Sequence, residues 1–491
     1  MKKLSTAFNR LSIIITFSII SFLPQNFSLP QTSNNTVQKL NQYITDFQKN
    51  KNVASISAGI LRKGKTIWLG AYGYADISHQ ALATPKTVYR IASISKVITA
   101  VAIMQLVEKG KIKLDEDARK YIPYFPKKKW KFTVRQILQH TAGLRSYKPG
   151  EFNSTEVYPS TKDAVGVLEN DPLEYKPGTK FLYTTLGYNL LAAIIENASG
   201  INFTDYLKKN IFEPAGMSTT YPEFQEEIIM NKARGYDKNN YRKMQNAPLA
   251  DLSIKFAGGG LVSTTEDLLK FANSLLNGRL IKKPTLDSML VPTKLTGGKI
   301  LESGFGFELK YDNNGKFFFG HYGFGTGFIS LIAIYPKDSV AAVDLINTAD
   351  RNLGGPALDL ASIELGRNFL TPQIPLSNKM MEITLRTNID SAISFYKIIK
   401  SDSASVYNLS ANEFDLFGYD LLKIKRKNDA LKWFKFFMNE FPSTVSAPIG
   451  LGDTYYNDGN KGLAIKFFRK ALEIDSLNSY ATKMIKKITD E

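Results

Sequence analysis

The segment from Ser93 to Lys109 constrains the fold of this chain more than any other. Its apolar residues recur on nearly every side of a predicted helix, and Gly110 follows as a stop signal. A helix that is apolar all round is buried inside a domain rather than laid on its surface. The segment therefore predicts a rigid helix at the centre of a folded domain.

Ser93 and Lys96 stand three positions apart at the start of this helix, so their side chains share one face. A serine hydroxyl becomes an effective nucleophile when a neighbouring base accepts its proton. A lysine whose pKa is lowered by apolar surroundings serves as such a base. The pair alone is weak evidence, because Ser394 and Lys397 repeat the same spacing.

The composition is ordinary for a globular protein, with 43% apolar and 22% charged residues. The length of 491 residues predicts two or more domains. The net charge of +18 first suggests a nucleic acid or an anionic surface as partner. The excess consists of scattered lysines without aromatic–basic interleaving, which argues against nucleic-acid binding. We interpret it as a solvated basic surface, with association with anionic cell-envelope polymers as the alternative.

The N-terminus predicts export. Three basic residues accompany an apolar run over residues 11–23 that is short for a membrane span. This pattern indicates a signal peptide over residues 1–28, with Ser28 as the candidate cleavage site. The mature protein would then be periplasmic or secreted, or membrane-anchored if the leader is not cleaved.

No residue pattern predicts a cofactor. The chain has no cysteine, so it has neither disulfides nor thiolate ligands. Its three histidines, His79, His140 and His321, are too far apart in sequence to indicate a local zinc motif. We expect neither a metal nor another cofactor.

Strand patterns lie at both ends of the first 370 residues. They predict a hairpin from 54–61 and 66–74, and further strands over the ranges 304–311, 316–319, 327–335 and 339–347. Short helices alternate with loops between them, and a helix near 356–369 closes the unit. The pattern predicts an α+β domain over residues 37–370, in which helices and a helical subdomain flank one antiparallel sheet built from distant segments.

The chain after residue 370 changes to helical patterns with an internal repeat. A linker over 371–379 precedes residues 380–491, where three residue pairs differ by 34 positions: Gly418 and Gly452, Ala430 and Ala464, and Phe434 and Phe468. This is the period of tetratricopeptide repeats, so we predict an all-α array that resembles them. Ser394 and Lys397 fall on a helix of this array and are interpreted as structural.

Seven short motifs occur in order along the chain, and the first of them contains Ser93. They are Ser93–Lys96, Leu138–Leu144, Lys176–Gly178, Tyr183–Tyr188, Phe212–Met217, Gly258–Thr264 and Gly320–Gly323. With them, residues 37–370 resemble the class C β-lactamase and low-molecular-weight penicillin-binding-protein superfamily, which includes esterases and D-amino-acid peptidases. The resemblance implies this superfamily's fold and serine acyl-transfer chemistry.

The resemblance also implies roles for individual residues. Ser93 attacks a carbonyl and forms an acyl-enzyme, while Lys96 and Tyr183 share the proton transfers. The backbone N–H groups of Ser93 and Phe324 hold the oxyanion. Thr185, His321 and Gly323 contact the substrate; an architectural role for His321 is nearly as well supported. A catalytic Tyr183 needs a pKa below about 10, which the Lys96 charge would provide.

Three other residues fit structural roles better. His140 is interpreted as a structural loop histidine. Tyr311 and Tyr455 begin Tyr-x-Asn triplets like those of the superfamily, but one lies in an apparent hairpin and the other in the repeat region.

Two departures widen the choice of substrate. Thr185 stands where the superfamily often has Asn, and it offers one short hydroxyl in place of an amide. His321 stands where the superfamily often has Lys, and histidine is mostly neutral at pH 7. Both weaken the case for efficient β-lactam turnover.

The sequence therefore predicts an exported serine hydrolase with an acyl-serine intermediate. The substrate is a small molecule or peptide with an ester, an amide or a D-amino-acid peptide bond, which covers a peptidoglycan-related peptidase, an esterase and a β-lactamase. The alternative is a non-hydrolytic scaffold of the penicillin-binding fold whose repeat tail recruits a protein partner.

Overall fold

The computed structural model describes residues 27–28, 33–350, 352–402 and 406–490. The predicted signal peptide lies outside these residues except for the backbone of Phe27–Ser28, and it stays a prediction. Among the described residues, no helix has the length and apolar character that crossing a membrane requires.

The strands form one large sheet, built from distant parts of the chain, and a few short ribbons. In chain order they are β1 (Phe27–Ser28), β2 (Ser55–Arg62), β3 (Lys65–Asp76), β4 (Ala81–Leu82), β5 (Tyr89–Arg90), β6 (Tyr221–Pro222), β7 (Tyr236–Lys238), β8 (Met244–Asn246), β9 (Leu261–Ser263), β10 (Glu308–Tyr311), β11 (Phe317–Gly325), β12 (Phe328–Tyr335), β13 (Val340–Ile346), β14 (Thr348–Ala349), β15 (Ile374–Pro375) and β16 (Tyr407–Asn408).

The main sheet has the strand order β1-β3-β2-β13-β12-β11-β10, with β4 attached to β3, and every pairing in it is antiparallel. The N-terminal hairpin β2–β3 therefore joins strands that are about 280 residues away in sequence. The predicted α+β architecture, with one antiparallel sheet assembled from distant segments, is confirmed.

The helices follow in chain order: α1 (Asn34–Asn50), α2 (Ile94–Glu108), α3 (Val134–Leu138), α4 (Thr161–Gly166), α5 (Gly187–Ser199), α6 (Phe203–Leu207), α7 (Glu213–Ala215), α8 (Phe256–Gly259), α9 (Thr265–Leu276), α10 (Lys283–Met289), α11 (Pro356–Glu364), α12 (Leu376–Arg386), α13 (Ile389–Lys400), α14 (Ala411–Lys423), α15 (Lys427–Glu440), α16 (Ser446–Asn457), α17 (Lys461–Ile474) and α18 (Ser479–Asp490).

Helices cover both faces of the sheet and divide its core into two layers. The terminal helices α1 and α11 pack on one face with side chains such as Ile56 and Ile60. The other face packs against α2, α5 and α9 of the helical subdomain. Residues 94–106 of α2 are all buried, as the all-round apolar pattern predicted.

Glycines explain two differences from the predicted boundaries. The strand predicted over 304–311 begins only at Glu308, because Gly306 has a φ of +74° that bends the chain before it. The helix predicted over 356–369 ends at Glu364, and Gly366 follows with a φ of +64°.

A third difference concerns β11. It runs on from the predicted 316–319 to Gly325, because β12 pairs with it from Phe319 to Gly325. The strand thereby carries residues 321–325 past the end of β10 and up to Ser93.

The C-terminal helices form an array with its own core. The ring of Phe434 on α15 packs against Gly418 of α14 and Gly450 of α16, where a Cβ atom would come within 2.4 and 2.3 Å of the ring. Phe468 on α17 makes the same contact with Gly452, at 2.7 Å. The 34-residue spacing therefore reflects a recurring close approach between neighbouring helices.

The array packs against the N-terminal α+β domain through polar contacts. The Arg242 guanidinium lies 2.7 Å from the Asp420 carboxylate of α14 and 3.8 Å from that of Asp350. The linker is held as well, because the amide of Asn50 donates to the Pro372 carbonyl at 2.8 Å. Deleting the array would therefore expose charged groups that are now buried between the two units.

Candidate active site

Ser93 lies at the first turn of α2, directly after Ala92, whose φ of +45° is unusual for a residue with a Cβ atom. The Ser93 side chain does not cap the helix. Its Oγ atom lies 3.1 Å from Lys96 Nζ and 2.7 Å from Tyr183 Oη. The strained turn thus presents the hydroxyl to a lysine and a tyrosine instead of to the helix backbone.

Lys96 is fully buried beneath Ser93. Its amine also contacts Thr185 Oγ1 at 3.2 Å and the Gly258 carbonyl at 2.5 Å. Burial lowers the pKa of Lys96 well below its usual value, and the positive charge of Lys255 adds to the effect. The lysine is therefore equipped to act as a neutral amine.

Every hydrogen-bonding group of a neutral Lys96 amine has a partner in the site. Such an amine has two N–H donors and one lone pair. It can donate to the Gly258 carbonyl and to Thr185 Oγ1, and accept the hydrogen of the Ser93 hydroxyl. Tyr183 then donates to the Ser93 oxygen. This arrangement points the serine proton at the lysine.

The pKa of Tyr183 shifts in the direction opposite to the prediction. Burial raises the pKa of its phenol, although the hydrogen bond with Ser93 opposes the shift. The Lys96 amine lies 4.7 Å from the centre of the ring, but as a neutral group it does not offset the loss of solvation. Tyr183 therefore holds its proton in the resting site, and the expectation that the Lys96 charge lowers the pKa of Tyr183 is wrong for this state.

His140 and Tyr188 hold Tyr183 in place. The imidazole lies 4.5 Å from the Tyr183 ring and 5.3 Å from the Tyr188 ring, measured between ring centres. Its Nδ1 atom accepts the backbone N–H of Thr184. The interpretation of His140 as a structural loop residue is consistent with these contacts, and its φ of +56° fits the loop.

His321 and Gly323 lie two positions apart on β11. The Nδ1–H of His321 donates to the Tyr322 carbonyl at 2.6 Å, which leaves Nε2 as an acceptor. Burial lowers the His321 pKa, so the ring is neutral at pH 7. A Cβ atom on Gly323 would lie 2.7 Å from the Ile91 carbonyl. Gly323 therefore lets β11 approach the turn that carries Ser93.

The structure brings all the predicted site residues together. Thr185 is buried against Lys96, so its hydroxyl orients the amine as well as lining the cavity beside Ser93. Phe324 lines the same cavity. His321 and Tyr183 line a second cavity, which shares no lining residue with the first.

Two charged residues of the site were missed in the sequence. Lys255 lines the cavity that contains Ser93, and Glu308 lines the cavity that contains His321. Glu308 lies in a predicted strand and Lys255 just before a glycine motif, so only their positions in that pattern could have drawn attention to them. Among the described residues, no group of three or more potential metal ligands is close enough to hold an ion.

The duplicate patterns lie elsewhere. Ser394 and Lys397 are exposed on α13. Tyr311 is exposed at the end of β10, and Tyr455 packs within the helical array. None of these four residues contributes to the cavities beside Ser93.

The comparison with protein families decides the assignment. The model of the family described as Beta-lactamase matches residues 40–365. The chain belongs to the beta-lactamase family. This family is one of serine hydrolases.

Other members of this family show how far the likeness extends. The serine beta-lactamase-like protein LACTB, mitochondrial, from Homo sapiens is 35% identical over 292 residues, which cover 45% of this chain and 53% of that protein. The chain therefore spans about half the length of this relative.

Solved structures share the fold. The octameric penicillin-binding protein homologue from Pyrococcus abyssi has a TM-score of 0.59 at 27% identity, over 72% of this chain and 82% of that one. The D-amino acid amidase from Ochrobactrum anthropi SV3 also has a TM-score of 0.59, at 24% identity, over 68% of this chain and 98% of that one.

Proposed function

We propose that this protein hydrolyses an ester, an amide or a D-amino-acid peptide bond through an acyl intermediate on Ser93. The observation that carries the proposal is the position of the Ser93 oxygen, 3.1 Å from a buried lysine amine and 2.7 Å from a tyrosine hydroxyl. A nucleophile, a base and an acid within hydrogen-bonding reach are what such a reaction needs.

Acylation begins at Lys96. Its neutral amine takes the Ser93 proton as the serine oxygen attacks the substrate carbonyl. The resulting oxyanion lies between the backbone N–H groups of Ser93 and Phe324. In support, the Ser93 N–H makes no backbone hydrogen bond among the described residues, and Phe324 lines the cavity beside Ser93.

The leaving group takes its proton from Tyr183. Because burial raises the pKa of this phenol, the proton is still present when the tetrahedral intermediate collapses. Lys96 then carries the proton from Ser93, and its charge lies close enough to the ring to stabilise the phenolate until the proton is passed on. Water attacks the acyl-Ser93 by the same steps in reverse.

The substrate-contacting residues argue against a β-lactam as the best substrate. We assign substrate contact to Thr185, His321 and Gly323. The neutral His321 brings no permanent charge to a substrate carboxylate, and the Thr185 hydroxyl is shared with Lys96. Our order of preference is a peptidoglycan-related peptidase, then an esterase, then a β-lactamase. The amidase with a similar fold is in keeping with this order.

A substrate panel tests the proposal. Purified protein and its Ser93→Ala variant are compared on p-nitrophenyl esters, D-amino acid amides, peptides that end in D-Ala-D-Ala and nitrocefin. We expect turnover of at least one class that depends on Ser93. No Ser93-dependent turnover in any class, with specific capture of a protein by the tail, would support the scaffold alternative instead.

We further propose that the protein is exported to the periplasm or the medium, where its basic surface associates with anionic envelope polymers. The helical array is our candidate for a tetratricopeptide-like site that binds a protein partner. Exposed apolar side chains such as Leu477, 90% exposed, and Ile398, 70% exposed, support it. Sequencing the N-terminus of protein recovered from cell fractions tests the proposed export. We expect a chain that begins near residue 29 and is found outside the cytoplasm.

A further inference from the structure

A second lysine lines the cavity that contains Ser93. Lys255 immediately precedes α8, the helix whose Gly258 carbonyl binds Lys96. Its side chain stands against the aromatic rings of Phe152 and Tyr147, with the amine 4.6 and 5.6 Å from the ring centres. Only 4% of Lys255 is exposed. The lysine is thus part of the wall of the cavity rather than of the protein surface.

The Lys255 amine has fewer partners than a buried cation needs. It donates to the Phe152 carbonyl, and no carboxylate lies within ion-pairing distance of it among the described residues. An ammonium group has three N–H donors, so two remain for a further acceptor. Burying a cation without an anionic partner is costly, so a negatively charged ligand group that paired with Lys255 would offset part of that cost.

The nearest acidic groups are already engaged. The Glu223 carboxylate receives two hydrogen bonds from Arg90, at 2.6 and 2.7 Å, and a third from Lys232 at 2.6 Å. The Asp251 carboxylate accepts the backbone N–H of Ser253 at 2.8 Å and the hydroxyl of the same residue. Both carboxylates raise the pKa of Lys255 from a distance, and neither forms a hydrogen bond with its amine among the described residues.

The position of Lys255 identifies the part of the substrate that it meets. Tyr183, which protonates the leaving group, lines a cavity with Phe181 and His321 that shares no lining residue with the cavity of Ser93 and Lys255. The leaving group therefore departs into the cavity of Tyr183. The acyl group extends into the cavity between Ser93, Phe324 and Lys255.

From this geometry, and resting on the proposed function, we propose that Lys255 binds a carboxylate carried by the acyl part of the substrate. The enzyme then prefers acyl groups with a negative charge at their far end over neutral acyl groups of the same length. The charge that His321 does not supply on the leaving-group side is supplied by Lys255 on the acyl side.

Two esters that differ in one charge test this preference. Mono-p-nitrophenyl adipate carries a terminal carboxylate, and p-nitrophenyl heptanoate has a neutral chain of similar length. The rates are measured for the full chain after subtraction of those with Ser93→Ala. We expect kcat/KM to be higher for the adipate, and Lys255→Met to lower the adipate-to-heptanoate ratio by about 10–100-fold, the usual range for a hydrogen bond to a charged group.

Two further variants serve as controls. Lys255→Arg keeps the charge and should retain most of the preference. Lys232→Met removes a nearby positive charge that does not line the cavity, and it should leave the ratio within about 2-fold. Because each ratio compares two substrates on one protein preparation, it does not depend on the fraction of molecules that is folded.

The pH dependence of the ratio provides an independent readout. Burial lowers the Lys255 pKa to about 8, so the lysine loses its charge as the pH rises through that value. The preference for the adipate should therefore fall between pH 7 and pH 9, while a merely structural lysine would leave it constant.

The outcomes are distinct. Equal losses for both esters in Lys255→Met would mean that the lysine acts only on Lys96 or on folding, and would overturn the inference. Ser93-dependent hydrolysis of the heptanoate alone would also overturn it and leave the proposed function standing. Absence of Ser93-dependent hydrolysis of both esters, together with failure of the wider substrate panel, would overturn the proposed function itself.

Discussion

The two Ser-x-x-Lys pairs of this chain have the same spacing on a helix and opposite surroundings. Ser93 and Lys96 begin α2, where the lysine is fully buried and the serine also contacts Tyr183. Ser394 and Lys397 lie on the exposed side of α13. The spacing brings a hydroxyl and an amine onto one face in both places, but only the first pair has the burial that makes the amine a base.

The helices themselves explain the difference. Helix α2 is apolar all round and is enclosed by the subdomain, so a lysine in its first turn is cut off from water. Helix α13 buries one side, which includes Ile389 and Tyr396, and leaves the other to solvent. Whether a serine and a lysine at this spacing can react therefore depends on how deeply the rest of the helix is buried, which a four-residue motif does not specify.

Replacing the two lysines separates the pairs most strongly. Lys96→Met removes the base beside Ser93, and we expect kcat/KM for the best substrate to fall about 10²–10⁴-fold. Lys397→Met should leave the rate unchanged, because that amine is exposed and remote from the cavities beside Ser93. Steady-state kinetics of both variants provide the measurement. A loss below about 10-fold in Lys96→Met would remove the lysine from its assigned role.

The tyrosines offer a second matched pair. Tyr183→Phe removes the hydroxyl that lies 2.7 Å from Ser93, and we expect a loss of about 100-fold in kcat/KM. Tyr311→Phe alters the Tyr-x-Asn triplet of the same domain, where the ring is 70% exposed, and it should have no effect. The loss should be smaller for substrates with a good leaving group such as p-nitrophenolate, and equal losses would argue against leaving-group protonation.

The pH profile sharpens the assignment of the base. Burial lowers the pKa of Lys96, and only the neutral amine accepts the Ser93 proton. Activity should therefore be present above that pKa and fall about 10-fold per pH unit below it. Lys255→Met removes a neighbouring positive charge, raises the Lys96 pKa and moves this limb to higher pH. Activity that keeps rising beyond pH 10 would instead indicate a Tyr183 phenolate.

A core substitution in the tail tests whether the two regions are functionally separate. Phe434 is fully buried between Gly418 and Gly450, so Phe434→Ala should lower the free energy of unfolding of the array by about 3–5 kcal/mol. Because no residue of the array lines the cavities beside Ser93, kcat should stay within about 2-fold. Thermal unfolding followed by circular dichroism, with kinetics at 25 °C, measures both. A large loss of kcat would mean that the array supports the active site.

Much of the fold was predictable from local patterns. The hairpin β2–β3, the buried helix α2 and the 34-residue repeat follow from periodicity and glycine positions. The missed boundaries are those set by tertiary contact: β11 continues through its glycines because β12 pairs with it, and the strand before Glu308 is lost to the bend at Gly306.

The site was predictable as a set of residues but not as an electrostatic environment. Ser93, Lys96 and Tyr183 come together as the motif order indicated. The direction of the Tyr183 pKa shift depends on burial, which sequence spacing does not reveal. Lys255 became visible only when the fold placed it beside Ser93, 162 residues away in sequence.

Covalent labelling with a fluorophosphonate, followed by mass spectrometry of the digested protein, tests directly whether Ser93 is the nucleophile. We expect a single adduct on the peptide that contains Ser93. The adduct should be absent in Ser93→Ala and of full intensity in Ser394→Ala. An adduct on Ser394, or full labelling that persists in Ser93→Ala, would contradict this assignment.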